Sequence, residues 1–395
     1  MIDFASPDYR RNPFPVYDQL RAAAPLVHDP RTGLWLLFDY ASVRQALTDH
    51  ARFSSSLFRA GRSNPDWLIF LDPPRHAKLR SLISQAFTPR AIAELEPRIR
   101  QLSRDLIHAV LPRGAMDLVA EYATPLPMMV VAELAGILPS EWKRFRHWSD
   151  EILKLSSTLT ENATAAEAVA AYAAVKAEMG PWLAALQQER IARPQDDLLT
   201  RLLEAEIDGE RLTDQEIAGF VELLIVAGQE TASNLIANAM LCFAEHPDQR
   251  ARLAASPEPL PSAIEEVLRF RSPVQWIFRV ATSDVVLHGQ TIPAGQVVIP
   301  IVGAANRDPN VFADPGRFDI ARSPNPHLAF GHGVHFCIGA PLARLEARIA
   351  LQDLFSRLAN LELASADPWE PRAALHVHGP SRLDVHFTPG RPGPT

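Results

Sequence analysis

The segment Phe330-Gly331-His332-Gly333-Val334-His335-Phe336-Cys337-Ile338-Gly339 surrounds one of the chain's two cysteines with glycines. A cysteine that ligates a metal does so as the thiolate, which needs a site that favours an anion. Cys337 stands just before a predicted helix, whose N-terminal dipole favours negative charge. Gly331, Gly333 and Gly339 permit positive φ and let the backbone approach a flat ligand closely. Backbone N–H groups aimed at the sulfur would moderate its donor strength. The plain alternative is a buried structural cysteine in a glycine-rich turn. Cys242, between Leu241 and Phe243 near the end of a long predicted helix, takes that plain reading as core packing.

Three further groups carry residue types that do chemistry. In Ala227-Gly228-Gln229-Glu230-Thr231, a carboxyl and a hydroxyl are adjacent and could relay protons through water. Thr231 can also bond back to the carbonyl of Ala227 and loosen the helix. Gly228 in a helix interior costs ~1 kcal/mol relative to Ala, so its presence calls for a reason. The alternative is a cap-like Thr and a solvated Glu. His76 and Arg80, at i and i+4, share one helical face, as a site for anions or as a solvated basic face. Glu266 and Arg269, at i and i+3, pair either at the surface or as a buried, bidentate ion pair.

Helices must position these groups, and helical periodicity dominates the first two-thirds of the chain. It predicts helices over 14–24, 40–47, 74–87, 89–110, 126–136, 140–154 and 164–191. Residues 34–38 read as a short strand, and 54–71 as irregular and aromatic. The longest helix begins at the capping box Thr213-Asp214-Gln215-Glu216 and runs to about residue 245. Roughly 30 residues span ~45 Å, so this helix crosses the molecule with Gly228–Thr231 at its middle. A helix follows over 262–270. Residues 280–301 switch to strands, with turns at His288-Gly289 and Gly295. A proline-rich meander covers 309–326, and a last helix runs from Cys337 to about 358. The 34 prolines are spread as helix starts and turns, and no repeat or linker divides the chain.

The cysteine segment resembles the ligand loop of the cytochromes P-450, F-G-x-G-x-H-x-C-x-G, at every specified position. Glu266-Val267-Leu268-Arg269 matches that family's E-x-x-R, and Arg307 in Ala305-Asn306-Arg307-Asp308-Pro309 fits its third member. The resemblance assigns Glu266, Arg269 and Arg307 to fold integrity and placement of the haem loop. Ala227 to Thr231 is similar to the oxygen-activation motif A/G-G-x-D/E-T, with Ala232 where many relatives carry a second Thr or Ser. It implies catalytic roles for Gly228, Glu230 and Thr231, with Gly228 leaving a gap beside the iron for dioxygen. His76 and Arg80 match H-x-x-x-R, and with Arg279 and His335 they are expected to bind the haem propionates. Phe330, Gly331, Cys337 and Gly339 complete the cofactor contacts. The matches run from Asp72-Pro73-Pro74 to Gly339-Ala340-Pro341-Leu342-Ala343-Arg344.

What the resemblance implies is a mainly α fold with small β-sheets and a long central helix over the haem. It forms a single haem domain over 1–395. The cofactor is haem b (iron protoporphyrin IX) with Cys337 as axial thiolate, a ligand that favours O–O cleavage. The activity is that of a monooxygenase, inserting one oxygen atom of dioxygen into a small hydrophobic organic substrate. Electrons would come from a separate ferredoxin or flavodoxin with its reductase. Arg344 and Arg348, on one face behind Cys337, are candidates to dock such an acidic carrier. The expected pocket is lined by Leu57, Phe58, Trp67, Ile69, Phe70, Val226, Ala227, Val274, Trp276, Ile277 and Val377, each of which could equally be core. Arg59 and Arg62 are candidates for a substrate carboxylate. A hydrogen-peroxide-using peroxygenase and a non-catalytic haem sensor are the competing readings. Dealkylation, epoxidation or phenol coupling on the same iron stays open.

Composition is consistent with this. Hydrophobic residues make up 47% and charged residues 22%, and the net charge is -7, which does not favour nucleic acid. Two cysteines make no disulfide framework. The polar start, residues 1–12, lacks a signal-type apolar core, and the apolar stretch 125–138 is too short and interrupted to span a bilayer. A cytoplasmic enzyme without a membrane anchor is expected.

Overall fold

A computed structural model describes residues 6–56, 67–137, 139–153, 163–256, 258–365, 369–372 and 374–390. The architecture is mainly helical with small sheets, as expected. Its axis is the helix Asp214–Glu245, 32 residues long. The capping box forms: Thr213 Oγ1 accepts from Glu216 N–H at 3.2 Å, and Glu216 Oε2 accepts from Thr213 N–H at 3.0 Å. Every residue from 232 to 243 is buried. A helix buried all round must be wrapped by others. Pro125–Leu134 and Ala340–Arg357 do this from two sides. The middle of the long helix is the exception: Leu224, Val226, Gly228 and Thr231 are half-buried and Ala227 is exposed.

A five-stranded sheet flanks the helices in the order Leu26–Asp29, Leu34–Leu37, Val297–Pro300, Arg279–Ala281, Phe53–Ser54. Val297–Pro300 runs parallel to Leu34–Leu37 and antiparallel to Arg279–Ala281, with Val298 opposite Arg279. The turns at His288-Gly289 and Gly295 have the positive φ read from their residues. The predicted helix over 89–110 divides into Pro89–Glu94 and Glu96–Val110, because Pro97 starts a new helix better than it continues an old one. A three-stranded sheet, Leu358–Leu363, Asp384–Pro389 and Ala115–Asp117, was not anticipated, nor were helices Leu198–Glu204 and Pro247–Ala255. Among the described residues no helix is long and apolar enough to cross a membrane.

Candidate functional site

Cys337 is held in a tight turn. Its N–H donates to Phe330 O at 2.8 Å, and Gly331 N–H donates to Leu328 O at 2.8 Å. Gly331 and Gly333 sit at φ +73° and +70°, a left-handed conformation that only glycine takes cheaply. A Cβ at Gly333 would also come within 3.1 Å of Leu47 O and Thr48 Cα. Helix Ala340–Arg357 begins behind the loop with Gly339 as its N-cap. Solvent reaches Cys337, yet protein surrounds the sulfur. Burial pushes the thiol up, against the pull of the Gly339 and Ala340 N–H groups and the Arg80 and Arg344 guanidinium groups. A metal cation on the sulfur would favour the thiolate over the thiol.

Cationic and imidazole side chains gather beside this loop. His76 and Arg80 come from helix Arg75–Ala86, Arg279 from the sheet and His335 from the loop itself. The His76 and His335 rings lie 4.1 Å apart. Ser55 Oγ is 3.0 Å from His335 Nε2, and Arg80 Nη2 donates to Phe336 O at 2.6 Å. Arg279 is buried and donates to the Phe278 carbonyl at 2.8 Å. Asp72 acts on Arg279 only at longer range, since Ser54 Oγ and Ser55 N–H occupy its oxygens. Neither Arg80 nor Arg279 has a carboxylate within ion-pair distance among the described residues. Both ring nitrogens of His76 are buried without a partner there. Burial, helped by Arg80, lowers His76 to about 4, and burial with His76 lowers His335 to about 3. Burial lowers Arg279 to about 10.

Buried cations without counter-charges are costly, so the cluster calls for an anionic group. Among the described residues no three His, Cys, Asp or Glu side chains gather into a metal site. A metal on Cys337 would thus need most of its donors from a cofactor. A haem, with its macrocycle nitrogens and two propionates, fits both requirements.

On the long helix, Thr231 Oγ1 donates to Ala227 O at 2.7 Å, the back-bond expected from the sequence. Thr231 shares the accessible face with Ala227. Glu230, one residue and ~100° away, is buried on another face. Its Oε2 has no partner among the described residues. Burial pushes this carboxyl up; Arg372 and Arg10 oppose the shift and Asp150 adds to it. At Gly228 a Cβ would stand 2.7 Å from Val131 Cγ2, so close packing against helix Pro125–Leu134 is one reason for the glycine.

The Glu266 buttress also differs from expectation in one member. Arg269 grips Glu266 with two bonds of 2.8 Å, both side chains fully buried. The third partner is Arg322, whose Nε lies 3.2 Å from both Glu266 oxygens. Arg307 does not reach the carboxylate. It donates to Phe270 O at 2.8 Å and lies 3.6 and 4.0 Å from the Phe14 and Phe270 ring centroids. Stacked between two aromatic faces, its guanidinium is held by cation–π attraction instead.

The expected pocket residues separate into two sets. Trp67 stacks on Phe70 at 5.7 Å, and Phe70 stacks on Phe278 at 5.9 Å, giving an aromatic wall. Trp67 Nε1 donates to the buried Glu222 at 3.1 Å. Ile69 is exposed, and Val274 pairs with Val377 in a β-bridge. Trp276 instead packs with Phe14, Tyr17, Leu36 and Phe38 in the core, and Ile277 packs against the sheet. Trp276 is corrected to core, and Ile277 is half-buried against a second core cluster. Leu57, Phe58, Arg59 and Arg62 lie outside the described residues. Glu222 was missed: a carboxylate on a long helix reads as solvated until Trp67 is placed beside it.

Behind the loop, Arg344 makes two bonds to Glu265 at 2.6 and 2.7 Å, and Arg348 pairs with Glu96 at 2.8 Å. Their charges are already matched within the chain, so an acidic carrier would have to compete for them. Cys242 is fully buried and its thiol is pushed up to about 12 by burial, which leaves it inert.

Comparison with known proteins agrees with this geometry. The family model for cytochrome P450 matches residues 138–255 and 259–374. The putative cytochrome P450 YjiB of Bacillus subtilis is 40% identical, over 91% of this chain and 90% of its own length. A vitamin D(3) 25-hydroxylase from Pseudonocardia autotrophica is 38% identical, over 98% and 96%. The structure of cytochrome P450 CYP109Q5 from Chondromyces apiculatus superposes with a TM-score of 0.90 at 36% identity, covering 99% of each chain. Matched by the family model over more than half its length and by relatives over nearly all of it, this chain belongs to the cytochrome P450 family.

Proposed function

We propose that this cytochrome P450 monooxygenase carries haem b on Cys337, within one domain over 1–395, and oxidises a bulky hydrophobic substrate. Bound there, the haem would supply dioxygen binding and activation. Cys337 would hold the haem iron through its sulfur, with the Gly339 and Ala340 N–H groups tempering its charge. Arg80, Arg279, His76 and His335 would hold the propionates. Thr231 would present its hydroxyl on the accessible face of the long helix, and Glu230 would supply protons to it through water. Trp67, Phe70, Phe278, Val274 and Val377 would exclude water and select an apolar substrate. The vitamin D(3) hydroxylase relative favours a large, polycyclic or extended hydrocarbon skeleton. Electrons would come from a separate ferredoxin or flavodoxin.

The observation that carries this reading is the unmatched positive charge of Arg80 and Arg279 beside an accessible cysteine. The test is the absorption spectrum of the reduced carbon-monoxide adduct. The wild type should show the thiolate-ligated band, and Cys337→His should convert it to the histidine-ligated type. A wild-type adduct that absorbs like a histidine-bound globin would overturn the assignment. Screening bulky hydrophobic compounds for a spin-state change then narrows the substrate.

A further inference from the structure

We infer that a file of buried water runs along the Glu230–Asn234–Asn238 face of the long helix and returns protons to Glu230 from the surface beside Arg10. The inference rests on the proposed proton role of Glu230 and adds the route by which that carboxyl is recharged.

Glu230, Asn234 and Asn238 follow one another at i, i+4 and i+8, so they share a face. Their exposures are 6%, 0% and 0%. Each carries a polar atom with no hydrogen-bond partner among the described residues: Glu230 Oε2, Asn234 Nδ2 and Asn238 Oδ1. Next to the row, His378, whose carbonyl accepts from Asn238 Nδ2, has an Nδ1 without a partner among the described residues, and Arg10, which acts on Glu230 and lines a small cavity with His378, has Nε and Nη2 without one. Buried polar atoms in folded proteins are almost always paired, so several orphans in one seam need a common partner.

The Asn234, Asn238 and His378 orphans cannot pair by rotating, because the other end of each of these side chains is fixed. Asn234 Oδ1 accepts from Arg372 Nε at 2.7 Å. Asn238 Nδ2 donates to His378 O at 2.9 Å and Arg271 O at 3.1 Å. His378 Nε2 meets Arg11 O at 3.0 Å, which makes it the protonated nitrogen and leaves Nδ1 an acceptor. Gly379 makes room for the Asn234 amide, since a Cβ there would lie 2.5 Å from its oxygen. The seam thus offers a fixed donor (the Asn234 amide), the Arg10 guanidinium and fixed acceptors (Asn238 Oδ1, His378 Nδ1). Water, which donates and accepts, can satisfy both kinds at once. At the outer end, Tyr9, Arg10, Gln275, Val377 and His378 line a cavity of about 10 Å³, roughly room for one water.

The charged groups acting on Glu230 are Arg372, Arg10 and Asp150. Arg372 is anchored by Asn234, by Ser233 Oγ at 2.8 Å and by Thr124 Oγ1 at 3.1 Å. The two guanidinium groups stabilise the carboxylate once its proton has left toward Thr231. A proton entering from solvent at Arg10 then passes along the file and restores the acid.

The test follows the carboxyl proton itself. The infrared carbonyl band of protonated Glu230 is identified as the one lost in Glu230→Gln, and its shift is timed after transfer of the holoenzyme into D2O. Asn234→Leu, nearly the same size but unable to hold water, should slow the shift by about tenfold or more. Asn234→Ser, which keeps a hydroxyl and leaves more room, should exchange at close to the wild-type rate. Arg10→Met at the rim should also slow exchange, which covers the case in which Asn234→Leu does not fold. Wild-type exchange in both Asn234→Leu and Arg10→Met would overturn the conduit. So would equal slowing by serine and leucine, which would mark Asn234 as a structural residue. The measurement needs no turnover, so its failure is separable from failure of the thiolate spectrum.

Discussion

Glu266 and Glu230 are both buried acids on helices, and almost every bond around them differs. Glu266 receives two hydrogen bonds from Arg269, contacts from Arg322, one from the Asp319 N–H at 2.9 Å and one from Asn325 at 3.2 Å. Its acceptor sites are filled, and it ties helix Leu260–Phe270 to the meander that leads into the cysteine loop. Glu230 has guanidinium groups near it and an oxygen that nothing in the described protein meets. A carboxyl that holds structure is saturated with fixed donors. The carboxyl proposed to trade protons, Glu230, is left short of them. Burial alone does not distinguish the two; the count of donors at each oxygen does.

The largest way to break the comparison is at the saturated end. Glu266→Ala leaves Arg269 and Arg322 as uncompensated buried charges, and loss of one member of such a group costs about 3–5 kcal/mol. We expect little folded protein and poor cofactor uptake, read by denaturant unfolding and by the haem-to-protein ratio on purification. Glu230→Gln should unfold at a denaturant concentration equal to or above that of the wild type, because it removes a carboxyl that burial disfavours as an anion.

A smaller effect tests which arginine completes the buttress. In a double-mutant cycle, Glu266→Gln and Arg322→Met should show a coupling of about 2 kcal/mol, whereas Glu266→Gln and Arg307→Met should be additive within about 0.5 kcal/mol. Equal coupling to both arginines would restore Arg307 to the triad. Smaller again is Gly228→Ala. Its Cβ meets Val131, so overpacking should cost about 1–2 kcal/mol despite the better helix propensity of alanine. Val131→Ala in the same chain should recover most of that loss. No recovery would mean that something other than helix packing selects the glycine.

These contrasts also mark what the sequence could and could not disclose. The capping box at Thr213, the glycines that turn the Cys337 loop and the Thr231 back-bond are local: their spacing contains the physics, so they were legible. Arg307 was chosen for the triad because it stands in the right stretch. Only the folded meander reveals that Arg322 is the one brought to Glu266. Gly228 was legible as an anomaly but its packing was not, since Val131 lies on another helix. The sheet joining residues 115–117, 358–363 and 384–389 pairs short strands from distant segments, for which periodicity carries almost no signal. Trp276 and Ile277 look like pocket residues in a list of apolar side chains and pack against core clusters instead, because which way an irregular segment turns its side chains is a tertiary fact. The Glu230–Asn234–Asn238 row did leave a trace: three polar residues at helical spacing on one face of a helix buried from 232 to 243.

A third buried acid places the distinction on a pH scale. Glu346, on the helix behind Cys337, is buried, and its Oε1 has no partner among the described residues. It resembles Glu230 in this, and burial pushes it up to about 8 from an ordinary value of 4.5. At pH 4 the folded and unfolded chains both hold this proton, and it contributes no pH dependence. As pH rises above 4.5 the unfolded chain ionises and the folded one does not. Stability is then lost, with a ceiling of about 1.4 kcal/mol per pH unit. Past about 8 the folded form ionises too, and the loss levels off. Glutamine cannot ionise, so the advantage of Glu346→Gln over wild type should be near zero at pH 4, grow between pH 5 and 8, and flatten above. Because water entry softens such penalties, we expect about 1–2 kcal/mol at pH 8, measured by urea unfolding across the range. A difference that stays constant from pH 4 to 9 would show that Glu346 is ionised in the fold, and hence saturated with donors in the manner of Glu266.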